Sequence, residues 1–485
     1  MKKDKIILYF LISLFLLFIW RFLIILDLPA PGADGPFFIS KTFSLLRGSF
    51  FQNTFAYNYM QPDLAPYMYG LIISPFYGLF PDVTYSIFIF NFLVLIGITA
   101  SLLYFFYIKR GIPVWVKALA ILSIWISPYS YSLRPELFNI FLIIINFIFL
   151  YRYFQSQKIL FLICSAILTT IIGLVHPVAG VFTVLATSLY FLEKKLPFKR
   201  YISWGALIVG LLCIIYLPII LIDPEHWALY FFEKNIVEDN HTFNPQLILK
   251  YIFFNPLLFA LYISIIPYWT SKNLLKEILY LFIITLVLAL FGRSYYYPYL
   301  GIFMILRISE LSFYEYKMPA VMYAVLLISP FFTHYLPTIQ QLENREYTRK
   351  FRTILKEVED YGETAEENQV WVPASLCMPI IEKPGTRLHY NFYYLIAPSR
   401  IELYEGDRIL VTSKSEINYI FRNVQHSKED LEVTPIIPEV SQGLVTSSSF
   451  FRKRANPIGL WEIKLKDQST ASSRKSQANQ VLSNY

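Results

Sequence analysis

One acidic residue, Asp34, lies between two glycines in the segment PAPGADGPFF, directly after the first long apolar run of the chain. A carboxylate in such a loop can act as a general base when the fold brings it to a substrate hydroxyl. Aspartate and glycine are equally common in solvated turns, so local sequence alone favours a simple turn. Asp27, Asp63 and Asp82 lie in the same long segment between apolar runs, at 27–83, and on local sequence alone each is as good a candidate as Asp34.

Two arginines are candidates for binding an anion. Arg134 lies in SLRPELF and Arg293 in FGRSYYYPYL, each at a break between two apolar runs. A guanidinium offers a planar fork of donors that matches phosphate oxygens. The alternative is an interfacial arginine that extends towards lipid headgroups, and the sequence supports the two interpretations equally.

Three prolines mark the apparent starts of helices near these arginines. The motifs RPELF, VHPVAGV and YYYPYLG place Pro135, Pro177 and Pro298 there, where a missing N–H costs little. The N-terminus of a helix carries partial positive charge and binds anions. Three such helix starts, beside Arg134 and Arg293, predict a surface that is suited to a phosphate.

Glu136 and His176 adjoin these helix starts. Glu136 follows Pro135, where an acid stabilises the helix dipole or pairs with Arg134. His176 precedes Pro177 and completes the predicted phosphate surface, although a histidine there more commonly forms a local hydrogen bond. No spacing of histidine, cysteine and acidic residues resembles a metal site, and no Walker or GxGxxG motif occurs. We therefore expect no cofactor, with a divalent metal left open.

The composition places these residues in a membrane protein. Of the 485 residues, 56% are hydrophobic and 16% charged, and the mean hydropathy is +0.48. A soluble chain is nearer a quarter charged. The 37 tyrosines suit a large membrane interface, where tyrosine concentrates. The net charge of +8 lies largely in short loops between apolar runs, which argues against a nucleic-acid partner. Three cysteines, Cys164, Cys213 and Cys377, offer no disulfide framework.

About eleven apolar runs are long enough, or nearly long enough, to cross a bilayer as helices. They lie at 6–26, 84–107, 113–131, 136–152, 158–175, 177–192, 201–222, 248–268, 277–291, 297–312 and 319–336. The first is too long for the core of a signal peptide and contains Arg21, so we expect an uncleaved helix.

The loop charges predict the orientation. Lysine and arginine concentrate before the first run and in the alternate loops YIKRGIP, YRYFQSQK, EKKLPFKR, SKNLLKE and YEYK. This pattern predicts a cytoplasmic N-terminus and an extracytoplasmic segment after about residue 337. A further span at 65–80 would break the pattern. We therefore predict that 65–80 and 38–48 lie along the outer membrane surface or dip into it, in a long first outer loop at 27–83.

The chain thus divides into an all-α polytopic membrane domain at 1–337 and a small extracytoplasmic α/β domain at 338–466. In the second domain, QQLENREYTRKFRTILKEVEDYGE has helical periodicity, whereas QVWVPASL and DRILVTS are typical of buried strands. Residues 467–485 are polar and predicted to be disordered.

The order of these features resembles the polytopic GT-C glycosyltransferases, specifically relatives of protein O-mannosyltransferases and lipid A aminoarabinose transferases. The resemblance covers roughly residues 5–310 and is carried by the loop around Asp34, then YNYMQPDLAPYMYGLIISPFYGLF, YIKRG, SLRPELFNIFLIII, GLVHPVAGV and RSYYYPYL. It implies a GT-C-like fold, a polyprenyl-phosphate-linked sugar donor, chemistry on the extracytoplasmic side and a basic carboxylate in the first outer loop. Asp34 matches that carboxylate by position. Many relatives have an acidic pair and then a tyrosine there, where this chain has Gly35 and Phe37 or Phe38.

The resemblance also implies an inverting transfer. Asp34 would take the proton of the acceptor, while Arg134, Arg293 and His176 bind the phosphate of the donor. The positions that could support them are Glu136, Asp63 and Tyr296. The acceptor would be a lipid, a glycan or a protein, and the expected location is a bacterial plasma membrane.

The sequence leaves three alternatives to this function. In a flippase or transporter of lipid-linked saccharides we would expect ionisable residues deep within the spans. The apolar runs contain few such residues besides Arg21 and Lys117. In a polymerase or ligase of lipid-linked saccharides we would expect a large outer loop, late in the chain, that contains arginine and histidine. The stretch 223–247 offers His226 and His241, with Lys234 as its cation. A membrane scaffold without catalytic activity is the third alternative.

Overall fold

The computed structural model of the protein describes residues 12, 15–16, 64–77, 83–109, 112, 114–126, 135–222, 224, 271–290, 297–310, 345–373, 376–388, 401, 403–440, 444–445, 453–454 and 458–466. They belong to two compact units. The first takes the described helices between residues 64 and 310, and the second takes the helices and the β-sheet between residues 345 and 466.

The first unit is helical throughout its described part. Its helices are α1 (Leu64–Tyr77), α2 (Val83–Lys109), α3 (Val114–Ile126), α4 (Glu136–Ser156), α5 (Ile159–Val175), α6 (Pro177–Glu193), α7 (Phe198–Ile222), α8 (Ser271–Leu290) and α9 (Tyr297–Glu310). In the described part of the chain, three helical stretches are long and apolar enough to cross a membrane: Ile89–Lys109, Glu136–Ser156 and Phe198–Pro218. The α5 and α6 helices are apolar too, with 17 residues each.

The helices follow the predicted apolar runs, except that α4 continues to Ser156, past the predicted 152, and that two helices, α7 and α8, begin early. These begin at Phe198 and Ser271, earlier than the predicted 201 and 277. Both extensions carry cations, which the search for apolar runs excluded, although a helix end tolerates them well. The runs at 248–268 and 319–336, most of 6–26 and the stretch 38–48 lie outside the described residues, so the count of eleven spans stays a prediction.

Large apolar side chains cover the outside of this unit. Tyr107 on α2, Ile214 on α7 and Leu275 on α8 are each at least 70% exposed. Exposed apolar surface of this extent marks a surface that meets membrane or protein. On these spans the lipid tails are the natural contact, which fits a membrane protein.

The helix α1 is short in its described part. Its 14 residues extend about 21 Å at 1.5 Å per residue, against a hydrocarbon core of about 30 Å. It packs on α2 and α5, and its buried Tyr69 meets the ring of Phe90 edge-on. The residues on either side of α1 lie outside the described part, so the expectation that 65–80 lies along the membrane surface and does not span it stays a prediction.

The centre of the helical unit is α4, which packs against α2, α5, α6 and α9. Polar side chains join the helices inside the apolar core. Asn146 on α4 donates to the hydroxyl of Thr187 on α6 at 3.4 Å, and the indole of Trp204 on α7 donates to Ser165 on α5 at 3.3 Å. Such interhelical hydrogen bonds are a common means of helix association in lipid.

Two glycines allow α5 and α6 to approach closely. A Cβ atom added to Gly180 would lie 2.6 Å from the Cα of Gly173, whereas one added to Gly173 would lie 3.8 Å from the Cα of Gly180. Small residues at a helix interface permit this kind of backbone approach in membranes. The pair therefore fixes the hairpin that carries His176.

Replacing Gly180 by alanine should destabilise the protein by about 1–3 kcal/mol, because the new methyl group overlaps backbone that cannot move aside. Thermal unfolding in detergent measures the loss. The matched control is Gly173→Ala, whose methyl group has ordinary van der Waals room, and which should cause no loss. Equal unfolding temperatures for the two variants would contradict the close packing of this hairpin.

One end of the helical unit is rich in cations that lie over aromatic rings. Lys109 lies 4.9 Å from the ring of Tyr151, and Arg200 lies 5.7 Å from the ring of Tyr153. Similar pairs join Arg152 to Tyr104 and Lys194 to Tyr190. These contacts bring together the C-terminal ends of α2, α4 and α6 and the N-terminal end of α7. We call this the basic end of the unit.

A cluster of buried charges ties α6, α8 and α9 together at the basic end. Arg307 on α9 donates from Nε to both carboxylate oxygens of Glu277 on α8, at 2.9 and 3.1 Å, and also pairs with Glu193 at the end of α6. Lys276 pairs with Glu193 at 2.9 Å. Arg307 is 5% exposed and Glu277 is 2% exposed. We call these four residues the charge cluster, and they connect helices that are far apart in sequence.

The second unit is built around a mixed β-sheet. Its helices are α10 (Arg345–Asp360), α11 (Thr364–Glu367) and α12 (Lys414–Asn423). Its strands are β1 (Val370–Val372), β2 (Thr386–Leu388), β3 (Arg408–Val411), β4 (Leu431–Val440), β5 (Leu444–Val445), β6 (Lys453–Arg454) and β7 (Ile458–Leu465). The main sheet has the order β2-β1-β3-β7-β4, with β1 parallel to β2 and β3 and with β7 antiparallel to β3 and β4.

The core of this unit lies against the sheet. Trp371, Ile409 and Ile463 from the strands pack with Ile420 of α12 in one buried cluster. The predicted helix is present as α10, and the predicted strands are present as β1 and β3. The boundaries 338–466 and the extracytoplasmic location stay predictions, and the predicted disorder at 467–485 lies outside the described residues.

Candidate functional site

The N-terminal ends of α4, α6 and α9 come together at the end of the helical unit opposite to the basic end. Asn139, in the first turns of α4, donates from Nδ2 to the hydroxyl of Tyr299 on α9 at 3.5 Å. The ring of Phe182 on α6 stacks on Tyr299, with 5.6 Å between centroids. Tyr299 therefore connects all three helix starts, and we call this region the candidate site.

The three prolines begin these helices, as the sequence predicts. Pro135 is the residue directly before α4, Pro177 is the first residue of α6 and Pro298 is the second residue of α9. The first backbone N–H groups of a helix have no partner within the helix and carry its positive dipole. Three such ends at one place form a region that favours an anion.

Glu136 lies inside the candidate site rather than on its surface. It is the first residue of α4 and 0% exposed, and its carboxylate interacts electrostatically with the phenol of Tyr69 on α1. The sequence offered two interpretations, a favourable interaction with the helix dipole or a pair with Arg134. The position at the first turn agrees with the dipole interaction, while burial beside α1 was not predicted.

His176 forms the junction between α5 and α6. Its backbone is extended, with φ −156° and ψ 115°, so that it ends one helix and begins the next. Its N–H donates to the carbonyl of Ile172 at 2.9 Å, and its own carbonyl accepts from the N–H of Gly180 at 3.1 Å. The imidazole is partly exposed, with its Nδ1 atom shielded from solvent. The structure thus places His176 directly before the N-terminal end of α6, as the sequence predicts.

Asn139 and Asn146 are polar residues of α4 that sequence reasoning missed. Both are 0% exposed, and they lie seven residues apart, which puts them on one face of the helix. In the described part of the chain, neither Oδ1 atom has a hydrogen-bond partner. The signal was present in the run ELFNIFLIIINF, where two asparagines interrupt an otherwise apolar span.

The remaining predicted site residues lie outside the described residues. They are Asp34, Asp63, Arg134, Arg293 and Tyr296, and their roles stay predictions. Chain continuity still relates two of them to the candidate site, because Arg134 directly precedes Pro135 and Tyr296 directly precedes the first residue of α9.

Among the described residues, no group of three or more histidine, cysteine, aspartate or glutamate side chains could hold a metal ion. Because Asp34 and Asp63 lie outside that part, the expectation of a metal-free site stays a prediction.

The chain matches the crystal structure of ArnT from Cupriavidus metallidurans bound to undecaprenyl phosphate, with a TM-score of 0.54. The match covers 94% of this chain and 98% of that chain, at 10% sequence identity. The chain has the fold of ArnT. It matches no model of a known protein family and no curated protein.

The likeness to ArnT confirms the resemblance to GT-C proteins at the level of the fold. The resemblance in sequence covers only residues 5–310, whereas the structural match covers 94% of the chain. The match to ArnT therefore extends into the second unit. At 10% identity no residue of ArnT is carried over to a position of this chain.

Proposed function

We propose that the protein is an integral membrane glycosyltransferase that moves a sugar from a polyprenyl-phosphate-linked donor to an acceptor on the extracytoplasmic side of the membrane. The observation that carries the proposal is the fold, which matches over most of its length that of ArnT, a protein crystallised with undecaprenyl phosphate. The order of sequence motifs around Asp34 points to the same class independently.

The candidate site supports the binding of a lipid-linked phosphate. The positive ends of α4, α6 and α9 meet there, with His176 at the start of α6. Arg134 and Arg293 lie in the chain just before α4 and α9, and we assign to them the two guanidinium groups that hold the phosphate oxygens. Glu136, Asp63 and Tyr296 have supporting roles in this proposal.

The proposed reaction is a direct displacement with inversion at the anomeric carbon. Asp34 accepts the proton of the acceptor nucleophile, and the nucleophile forms a bond to the anomeric carbon. The bond between that carbon and the phosphate oxygen breaks, and its electron pair leaves with the polyprenyl phosphate. The cations and helix N-termini stabilise the charge of the leaving phosphate, so no acid has to protonate it.

The proposed orientation places the candidate site on the extracytoplasmic side. The basic end of the helical unit gathers the cations of the alternate loops, and such loops face the cytoplasm. The candidate site, at the opposite end, then opens to the other face of a bacterial plasma membrane. The second unit follows an odd number of spans, so this proposal places it on the same outer face.

A panel of purified polyprenyl-phosphate sugars tests the proposed function. The purified protein should release polyprenyl phosphate from one of these donors in an acceptor-dependent reaction, as detected by mass spectrometry. Parallel reactions with a chelator test the metal-free site. Release from no donor, by protein with an intact unfolding transition, would overturn the proposal.

The same assay separates the alternatives. A flippase or transporter leaves the donor intact. A polymerase or ligase of lipid-linked saccharides transfers a whole saccharide rather than one sugar, which the mass of the product reports.

A further inference from the structure

Arg200, in the first turn of α7, is held through one nitrogen and keeps the rest of its guanidinium free. Its Nη1 atom donates to the hydroxyl of Tyr153, which is fully buried, and to Oε1 of Gln157 at 3.0 Å. Among the described residues, Nε and Nη2 of Arg200 have no hydrogen-bond partner. The contacts therefore orient the guanidinium and leave donors for a further group.

Two lysines adjoin this guanidinium. Lys158 directly follows Gln157 in the turn between α4 and α5, and Lys199 directly precedes Arg200. Both side chains are exposed, and in the described part of the chain neither ammonium group has a partner. The contact between Arg200 and Gln157 brings the two backbone segments together. We call Lys158, Lys199 and Arg200 the three-cation site.

No acidic side chain of α4, α5, α6 or α7 neutralises the three-cation site. From residue 135 to 222, where the structure describes the backbone throughout, the acids are Glu136 and Glu193. Glu136 is the first residue of α4, at the opposite end of the unit. Glu193 pairs with Lys276 and Arg307 in the charge cluster. Within these helices the site therefore keeps its positive charge.

Helix stability does not explain the cations at the start of α7. The N-terminus is the positive end of a helix, so cations are unfavourable there. Lys199 and Arg200 are the second and third residues of α7, and its first turn contains no acid. The preference of cytoplasmic loops for lysine and arginine explains the sign of their charge, but not a guanidinium fixed by a buried tyrosine. This fixed group points to an anionic ligand.

The lengths of α4 and α7 place the three-cation site at a membrane surface. Both helices contain a stretch that is long and apolar enough to cross a membrane, Glu136–Ser156 and Phe198–Pro218. Lys199 and Arg200 lie in the first turn of the second stretch, and Lys158 lies two residues after the end of the first. The exposed apolar side chains beside the site on α5 and α7 are Ile159, Leu160, Phe198 and Ile202.

We propose that the three-cation site binds the phosphate of an anionic phospholipid, whose acyl chains lie along α5 and α7. Arg200 donates from Nε and Nη2 to two phosphate oxygens, and Lys158 and Lys199 add charge on flexible side chains. The proposed orientation puts the site at the cytoplasmic leaflet, whose anionic lipids attract such cations. The proposal rests on the membrane location of α4 and α7 and holds whether or not the protein transfers a sugar.

Native mass spectrometry of the full-length protein in detergent counts bound lipids and tests the proposal. The wild type should bind one phosphatidylglycerol more tightly than phosphatidylcholine. The double variant Lys158→Gln with Lys199→Gln should weaken this tight binding about 25-fold, at about fivefold per cation near an anionic headgroup. Its unfolding temperature should not change, because neither ammonium group has a contact in the described fold.

The variant Arg200→Lys separates the shape of the guanidinium from its charge. A lysine keeps the charge but cannot donate through a planar fork. Phosphatidylglycerol should therefore bind less tightly to this variant than to the wild type. Affinity equal to that of the wild type would overturn the assignment of the phosphate to Arg200.

The matched control removes two exposed lysines of the second unit, through Lys414→Gln and Lys428→Gln. It changes the net charge equally and should keep the tight binding. Equal affinity of the wild type for both lipids would overturn the proposal, and so would equal losses in the two double variants. Displacement of the lipid by inorganic phosphate at the same concentration would overturn it as well, because it would indicate a soluble ligand.

Discussion

Replacing Asp34 by asparagine is expected to lower sugar transfer by about 10²–10⁴-fold, the usual contribution of a general base. The amide keeps the size of the side chain but cannot accept the proton of the acceptor. The measurement is the initial rate of acceptor-dependent release of polyprenyl phosphate by the purified protein, with a donor that the wild type uses. Unfolding temperature should not change, since the substitution adds no volume.

Asp82→Asn is the matched control, because Asp82 lies in the same predicted outer loop at 27–83 and has an equal local claim. It should retain transfer close to that of the wild type. A variant Asp34→Asn with near wild-type turnover removes Asp34 from the mechanism. Loss of transfer in the Asp82 variant alone would move the base to that residue.

Replacing Arg307 by methionine is expected to lower the free energy of unfolding by about 3–5 kcal/mol, because it leaves a buried carboxylate without its partner. Arg307 holds both Glu277 and Glu193 in the charge cluster, so α6, α8 and α9 lose their connection at the basic end. Titration with a denaturing detergent measures the change. The control Arg152→Met, which removes a partly exposed cation above the exposed ring of Tyr104, should cost about 1 kcal/mol or less.

The double variant Arg307→Met with Glu277→Leu separates charge from packing. Replacing a buried ion pair by apolar side chains is often neutral, so this variant should recover most of the loss seen with Arg307→Met alone. A double variant as unstable as the single one would contradict the coupling of the two charges and assign the loss to packing. Comparing the single and double variants measures the interaction between the two charges, because residues in direct contact do not contribute additively to stability.

The sequence predicts the helices well and their polar contacts poorly. Apolar runs bounded by prolines and cations mark α5 and α6 to within one residue, and they mark the starts of α4 and α9, because lipid demands a continuous apolar span. The charge cluster escapes such reasoning, because Glu193 and Arg307 are 114 residues apart and meet only after three helices have packed. The early start of α8 also depends on a contact that is distant in sequence, because Lys276 in its first turns pairs with Glu193.

In the candidate site too, the sequence predicts some features, whereas others depend on how the helices pack. The prolines predict where α4, α6 and α9 begin, since a proline at a helix start is a local property. The burial of Glu136 depends on how the helices around the start of α4 pack, and the contact between Asn139 and Tyr299 joins residues 160 positions apart. Neither follows from local pattern. Asp34 is different again, because family resemblance rather than its surroundings singles it out.

Transfer and transport of the same lipid can be separated in one measurement. Proteoliposomes that hold the protein are given a radiolabelled polyprenyl-phosphate sugar in one leaflet, together with an acceptor, and both the cleaved and the intact lipid are counted in each leaflet. Our account predicts polyprenyl phosphate and glycosylated acceptor in equal amounts from the wild type, and neither from Asp34→Asn. Intact donor in the opposite leaflet, with no polyprenyl phosphate formed, would contradict it.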